Sequence, residues 1–423
     1  MKQLTLFALS LLFAFSFSSC DKDVNTVTAT YQEATAIYGD LEAVRGEALN
    51  EPAKTVENPG KVYVGEHFIL IGEEEKGVHV VNNSDINNPQ FTNFINIPGN
   101  REFFVQGNYL YAESYYDLMK IDLTDINNVQ LASRANNIFQ ETLTNENGEA
   151  LLGFSFTEVT KKVDADTDLY AEISGNNYVY YDFARNIIPK SAVPSSFAGN
   201  SNQQSGTVNR VTYSQDHVYV VNNQSMAIID DSNGDMEVVE PINEVYLPIG
   251  TETIFPYENK LFVGSRSSMD IYDAADPQNP QQIYTFAHAT SCDPVLPKDD
   301  VAYITLRTAD FSGCPGDINA LVVLDIENLN SPQVAQEIAM NSPYGMTIIG
   351  DRLFVGEGEN GLSVFDATDR LNPTLIFTDP SIIAYDIIAH PGDESMILIA
   401  GTDGLSQYSF EGDVLDINSE IDY

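Results

Sequence analysis

An apolar run closing on an aspartate recurs along this chain, each time ahead of a turn that holds a proline. Met269-Asp270-Ile271-Tyr272-Asp273, Leu321-Val322-Val323-Leu324-Asp325 and Leu362-Ser363-Val364-Phe365-Asp366 are the clearest copies. Their turns run from Asp276 to Pro280, Asn328 to Pro332 and Asp369 to Pro373. Weaker copies lie at Leu118–Asp122 and Ala227–Asp230. The earliest, Val78–Asn82, is followed by Asp85 to Pro89. A period of about 40 residues built from short strands specifies a solenoid or a propeller.

An aromatic residue precedes the aspartate at nearly constant spacing: Tyr111 before Asp122, Tyr219 before Asp230, Phe262 before Asp273 and Phe354 before Asp366. Constant spacing is the mark of a hairpin held in register. Each unit therefore reads as four short strands, the aspartate ending the third. Such units close radially into an all-β β-propeller, which leaves few exposed strand edges. Seven blades are expected, with eight as the alternative if Tyr178 to Phe183, which contains Asp182, is another third strand.

The repeat is broken twice. Between Tyr303 and Asp325 an insertion runs from Ala309 to Asn319 and carries Cys314. Residues 140–206 form a longer insertion that includes a hairpin. In a propeller, the connections into the first strand and the second-to-third turns share one face. Both insertions are expected there. The aspartate-to-proline turns belong on the opposite face, where short acidic side chains bond nearby backbone amides and fix the turn.

The first 19 residues read as a lipoprotein signal peptide. Lys2 is the positive start and Leu4 to Phe17 an apolar run too short to span a bilayer. Ser18-Ser19-Cys20 resembles a lipobox, which implies acylation of Cys20 and a membrane partner reached through the lipid. Asp21-Lys22-Asp23 resembles a surface-export signal, so an outer-membrane lipoprotein, periplasmic or surface-exposed, is expected. Residues 20–59 read as a tether with a short helix, since Tyr31, Ala34, Ile37, Tyr38, Leu41 and Val44 recur at helical spacing. The propeller is expected over 60–423.

Asn58-Pro59-Gly60-Lys61-Val62-Tyr63, Gly77-Val78-His79-Val80-Val81, Thr290–Val295 and Ala302–Arg307 resemble the LVIVD-repeat family of bacterial lipoproteins. The resemblance covers nearly everything after residue 50. It implies a surface propeller and assigns no activity.

Sixty-two acidic against 20 basic residues give a net charge of −42. That excludes nucleic acid, which rewards basic patches, and docking of the protein body on anionic lipid. Solubility and divalent-cation binding both remain as reasons for the acidity. Asp164, Asp166 and Asp168 alternate as in a calcium loop, but Leu169 replaces the glycine and Gly175 the distal carboxylate. Asp231, Asn233 and Asp235 repeat the spacing, equally incomplete. Calcium is thus the sole cofactor considered, and none is required.

Cys292 and Cys314 form an even pair in an oxidising compartment, and the propeller puts both on one face. A disulfide between them is expected to pin the inserted loop, with about 3 kcal/mol of stabilisation. No Gly-x-Ser-x-Gly or His-x-x-x-His motif is present, and His79 is expected to face solvent or a neighbouring blade. Arg307 could clamp a carboxylate ligand or bond Asp310 or a loop carbonyl. With Asp293, Tyr344, Tyr385 and Asp386, which belong to first strands, it makes the candidate ligand-binding surface. The expected function is non-enzymatic: a surface-anchored binding or interaction module for a glycan, peptide or envelope protein. The alternative is a hydrolase or lyase using channel carboxylates or a divalent ion.

Overall fold

The repeated apolar runs are the third strands of seven four-stranded antiparallel blades: Gly77–Asn82, Asp117–Asp122, Ser225–Asp230, Ser268–Asp273, Ala320–Asp325, Leu362–Asp366 and Gly404–Glu411. The seventh ends in glutamate and carries no copy of the motif. The computed structural model describes residues 26–139, 142–164, 179–180, 210–222, 225–239, 245–247, 251–265, 268–287, 295–307 and 318–423. The chain divides into two compact units, Met1–Thr35 with Phe156–Ile188, and Ala36–Ser155 with Pro189–Tyr423. The second holds the propeller.

Third strands such as Ala320–Asp325 are buried at every residue but the last. Blades stack face to face, so both faces of a middle strand are covered, and a continuous apolar run replaces the usual alternation. Outer strands such as Gln333–Ala339 are largely exposed. In six blades the register slips by one residue between third and outer strand, as between Val323 and Leu324. Such bulges increase the local twist of the outer strand.

The aspartates behave as turn scaffold. Asp122, Asp230, Asp273, Asp325 and Asp366 each accept the backbone N–H two residues on. Asp85, Asp125, Asp276, Asn328 and Asp369 repeat the device, the last four of them three residues after the aspartate of the same blade. A glutamine then opens the outer strand, and the side-chain amides of Gln90, Gln281 and Gln333 donate to the carbonyl of the preceding proline. Hydrogen bonds from the Thr124 and Thr368 hydroxyls and amides hold Asp122 and Asp366 below the usual carboxylate range.

The first and last blades each supply their own four strands, so no strand is shared where the ring closes. Val62, Val64, Ile69, Ile71 and Val81 of blade 1 pack on Leu398, Ala400, Leu405 and Ile421 of blade 7. Within this apolar seam the amides of Asn83 and Gln407 exchange hydrogen bonds at 2.9 Å in both directions. Gln407 also donates to Ile86 O, and Ser419 Oγ donates to the same carbonyl at 2.6 Å.

The helical spacing of Tyr31 to Val44 is not realised. Thr26–Gly39 is a strand, and helix is confined to Leu41–Arg45, capped by the Asp40 carboxylate. The β-branched run Thr26-Val27-Thr28 favours extended backbone, and partners are available. The strand lies between Ala150–Asp164 and Val179–Tyr180 in a three-stranded sheet, with Gln32 opposite Tyr180. Val179–Tyr180 therefore pairs outside the blades, which removes the eighth blade. After the helix the arm lies on the propeller. Arg45 forms a two-point ion pair with fully buried Asp117 at 2.7 and 2.9 Å. Asn50–Pro52 adds a fifth strand to blade 1. The Asn50 amide bonds both N and O of Val129 in blade 2.

Candidate functional site

On the face opposite the aspartate turns, three blades bring their chain ends together. Arg307 follows the second strand of blade 5, Val301–Leu306. Tyr344 precedes the first strand of blade 6, Met346–Ile349, and Tyr385 that of blade 7, Asp386–Ala389. All three side chains are half-buried. The Arg307 guanidinium lies over the Tyr344 ring, 4.1 Å from its centroid. Tyr344 meets Tyr385 edge to face, 5.0 Å apart at 90°. Such a cation–π contact restrains the guanidinium by attraction to the ring face. Among the described residues Arg307 makes no ion pair. Burial raises the Tyr385 hydroxyl pKa, an effect that a bond with Thr402 opposes.

Backbone bonds fix the rings. Tyr344 N donates to Gly356 O at 2.7 Å and Gly345 N to Tyr385 O at 3.0 Å. Gly358 and Ala384 exchange bonds across the blades, and Thr305 Oγ1 donates to Tyr344 O at 2.8 Å. Gly358 has φ +58°, and a Cβ there would come within 2.7 Å of the Tyr344 ring and 3.0 Å of Tyr385. Only glycine permits both the left-handed backbone and the close approach of the two rings. Asp386 is fully buried, with Gly345 so close that a Cβ would fall 1.9 Å from Oδ1. It underlies this cluster and is not presented on it.

Two more tyrosines occupy this face. Tyr115, in the second-to-third turn of blade 2, has φ +55°, a costly conformation for a bulky residue. Tyr246, between blades 3 and 4, is 74% exposed.

A second group lies where blades 1, 2 and 3 meet on the same face. Lys61 Nζ is 2.5 Å from Glu102 Oε1, with both side chains buried. Glu102 Oε2 also accepts Arg210 N at 3.4 Å. Asn100 bridges the carbonyls of Glu102 and Glu113. Glu113 is 2% exposed and its Oε2 has no hydrogen-bond partner. Burial pushes its carboxyl up to about 7; Arg210 and Arg101 pull it down, while Glu102 and Glu75 push it further up.

The pH sign follows from that shift. A carboxyl whose pKa is raised on folding stabilises the fold while protonated, and the benefit fades as pH rises from the unfolded value of 4.5 towards 7. Glu113→Gln removes the ionisation. Wild type is expected to lose about 3 kcal/mol more than the variant between pH 4.5 and 8, measured by urea unfolding at both ends. Parallel pH profiles would contradict this.

Two polar groups are buried in contacts that the sequence does not mark. His79 does not face solvent: its third strand is covered on both sides, and Nε2 meets Glu73 Oε2 at 2.9 Å. Burial lowers the His79 pKa. Asp231, considered for a metal loop, instead binds Lys120 Nζ through both oxygens at 2.7 and 2.8 Å and accepts the Tyr111 hydroxyl at 2.5 Å. No group of three or more metal-ligating side chains occurs among the described residues. Cys20, Cys292, Asp293, Asp310, Cys314, Asp166 and Asp168 lie outside the described residues. Asp164 ends the strand Ala150–Asp164.

No protein-family model matches the chain, and no curated protein matches it. Among solved structures it is similar to BamB from Moraxella catarrhalis, with a TM-score of 0.47 and 8% identity over 83% of this chain and 85% of that one. It is similar to Kluyveromyces lactis Hsv2, with a TM-score of 0.48 and 10% identity over 86% and 98%. A functionally unknown protein from Desulfotomaculum acetoxidans DSM 771 gives 0.41 and 14% over 51% and 70%. At these identities the likeness concerns the fold alone, and the chain is a seven-bladed, all-β propeller.

Proposed function

We propose that this chain is a lipid-anchored envelope protein of the LVIVD-repeat kind, a non-enzymatic binding module working through the face that carries Arg307, Tyr344 and Tyr385. One observation carries the reading. That cluster is assembled from three blades, held by backbone bonds, and sets a guanidinium with no ion pair among the described residues over the Tyr344 ring, with Tyr385 edge to face beside it. A scaffold requirement alone does not explain it, because the opposite face is built of repeated aspartate turns. The leader and Ser18-Ser19-Cys20 support attachment through acylated Cys20, at the outer membrane and facing the periplasm or the exterior. No helix among the described residues is long and apolar enough to cross a membrane. The partners that fit are a glycan, a peptide or an envelope protein.

The test uses the full chain displayed on cells and an immobilised panel of surface glycans and envelope proteins. Tyr344→Ala with Tyr385→Ala is expected to abolish binding of whatever the wild type retains, with deletion of 309–319 weakening it. Retention unchanged in both variants would refute this face as the binding surface.

A hydrolase or lyase using channel carboxylates has one observation in its favour, the raised carboxyl of Glu113 beside Glu102. Burial of Glu113 keeps it from any substrate, so the binding reading is preferred.

A further inference from the structure

We infer that Arg307, Tyr344 and Tyr385 form a subsite for the carboxylate of an acidic sugar. The inference rests on the reading of this face as a binding surface and names the chemistry that it takes.

The guanidinium comes first. In a chain with 62 acidic residues, Arg307 makes no ion pair among the described residues, and it is half-buried. Its central carbon lies over the Tyr344 ring, 4.1 Å from the centroid, and no carboxylate among the described residues pairs with its fork of N–H donors. That fork matches an anion with two oxygens in one plane. The contact with Tyr344 already restrains the side chain, so less of its freedom is lost on binding.

Charge then selects among anions. The net charge of −42 repels every anion at a distance. A singly charged carboxylate suffers less than a phosphate dianion or a polyanionic chain. Salt screens the distant charges over about 8 Å, while contact with the fork survives.

The rings select the body that carries the carboxylate. Tyr344 and Tyr385 are half-buried and meet at 90° beside the guanidinium, an aromatic corner that suits the C–H face of a sugar with its hydroxyls turned to the phenols. A peptide end would bring backbone amides that need main-chain partners. Those nearby are taken: Tyr344 N, Gly345 N, Gly358 N, Ala384 N and Tyr385 N all donate to other backbone carbonyls, and Thr305 occupies Tyr344 O.

The experiment is calorimetric titration of the full chain with methyl β-glucuronide, methyl β-glucoside and the tripeptide Gly-Gly-Phe. The glucuronide is expected to bind at least about tenfold more tightly than the glucoside, the gain of a two-point charged contact. Arg307→Gln is expected to bring the two sugars level, and Arg307→Lys to keep only part of the preference, with circular dichroism confirming that both variants fold. Equal affinity for the two sugars in the wild type overturns the inference. So does a preference that survives Arg307→Gln, or binding of the tripeptide in place of the glucuronide. If Arg307→Gln changes nothing while Tyr344→Ala with Tyr385→Ala still abolishes retention on the panel, the carboxylate subsite fails and the binding face stands.

Discussion

Asp231→Ala is expected to destabilise the propeller by about 3–5 kcal/mol, because it strands a buried ammonium. Lys120 and Asp231 are 4% and 6% exposed and join the third strand of blade 2 to the turn after the third strand of blade 3. The ammonium also donates to Gly234 O at 3.1 Å and sits 4.4 Å from the Tyr109 ring centroid. Neither contact replaces a carboxylate. The Tyr111 hydroxyl loses its acceptor as well, adding an unsatisfied buried donor. Burial, and then the Asp231 carboxylate, hold that phenol protonated far above its ordinary range. Removing the charge too, in Lys120→Met with Asp231→Ala, is expected to recover about half of the loss, since an apolar pair can replace a buried ion pair at little cost. Equilibrium urea unfolding of the two variants and wild type decides this. A double variant no more stable than Asp231→Ala would show that the stranded charge is not the cause.

Opening the ring at its seam is the second large effect. Gln407→Ala is expected to cost about 2–3 kcal/mol, through a small cavity and the loss of hydrogen bonds to the Asn83 amide in an apolar setting. Asn83→Ala should cost a similar amount. The double variant should fall short of the sum by about 1 kcal/mol or more, the signature of residues that share one interaction. Hydrogen exchange should rise first in the strands of blades 1 and 7. Strict additivity, or exchange rising evenly around the ring, would argue against a clasp at this point.

What was legible in the sequence is what is local. An aspartate that bonds the amide two residues on leaves a fixed local motif, so the turns, the repeat and the strand order could be read directly. The motif even placed the scaffold on its own face. Contacts between blades leave no such mark. Lys120 and Asp231 are 111 residues apart, and Asn83 and Gln407 are 324 apart. Arg307, Tyr344 and Tyr385 could be assigned to one face by topology, but their stacking depends on Gly358 and on the crossing bonds of Gly345 and Ala384. A run such as Tyr31 to Val44 fits helical spacing until a partner strand is known, so the sequence suggests helix where Thr26–Gly39 is a strand. Of the two places open to His79, solvent is removed because the third strand of a blade has no exposed side, although alternation with apolar neighbours usually marks a half-exposed strand.

The arm that lies across the first two blades bears on mechanics. A pull on the chain before Asp40 reaches the Arg45–Asp117 pair, then the Asn50–Val129 bonds and the Asn50–Pro52 strand. These contacts lie between the pulled end and the inner strand of blade 1, which carries part of the seam. They act as a strain relief, so tension that reaches the chain at Asp40 is spent on blades 1 and 2 before it bears on a ring that shares no strand at its closure.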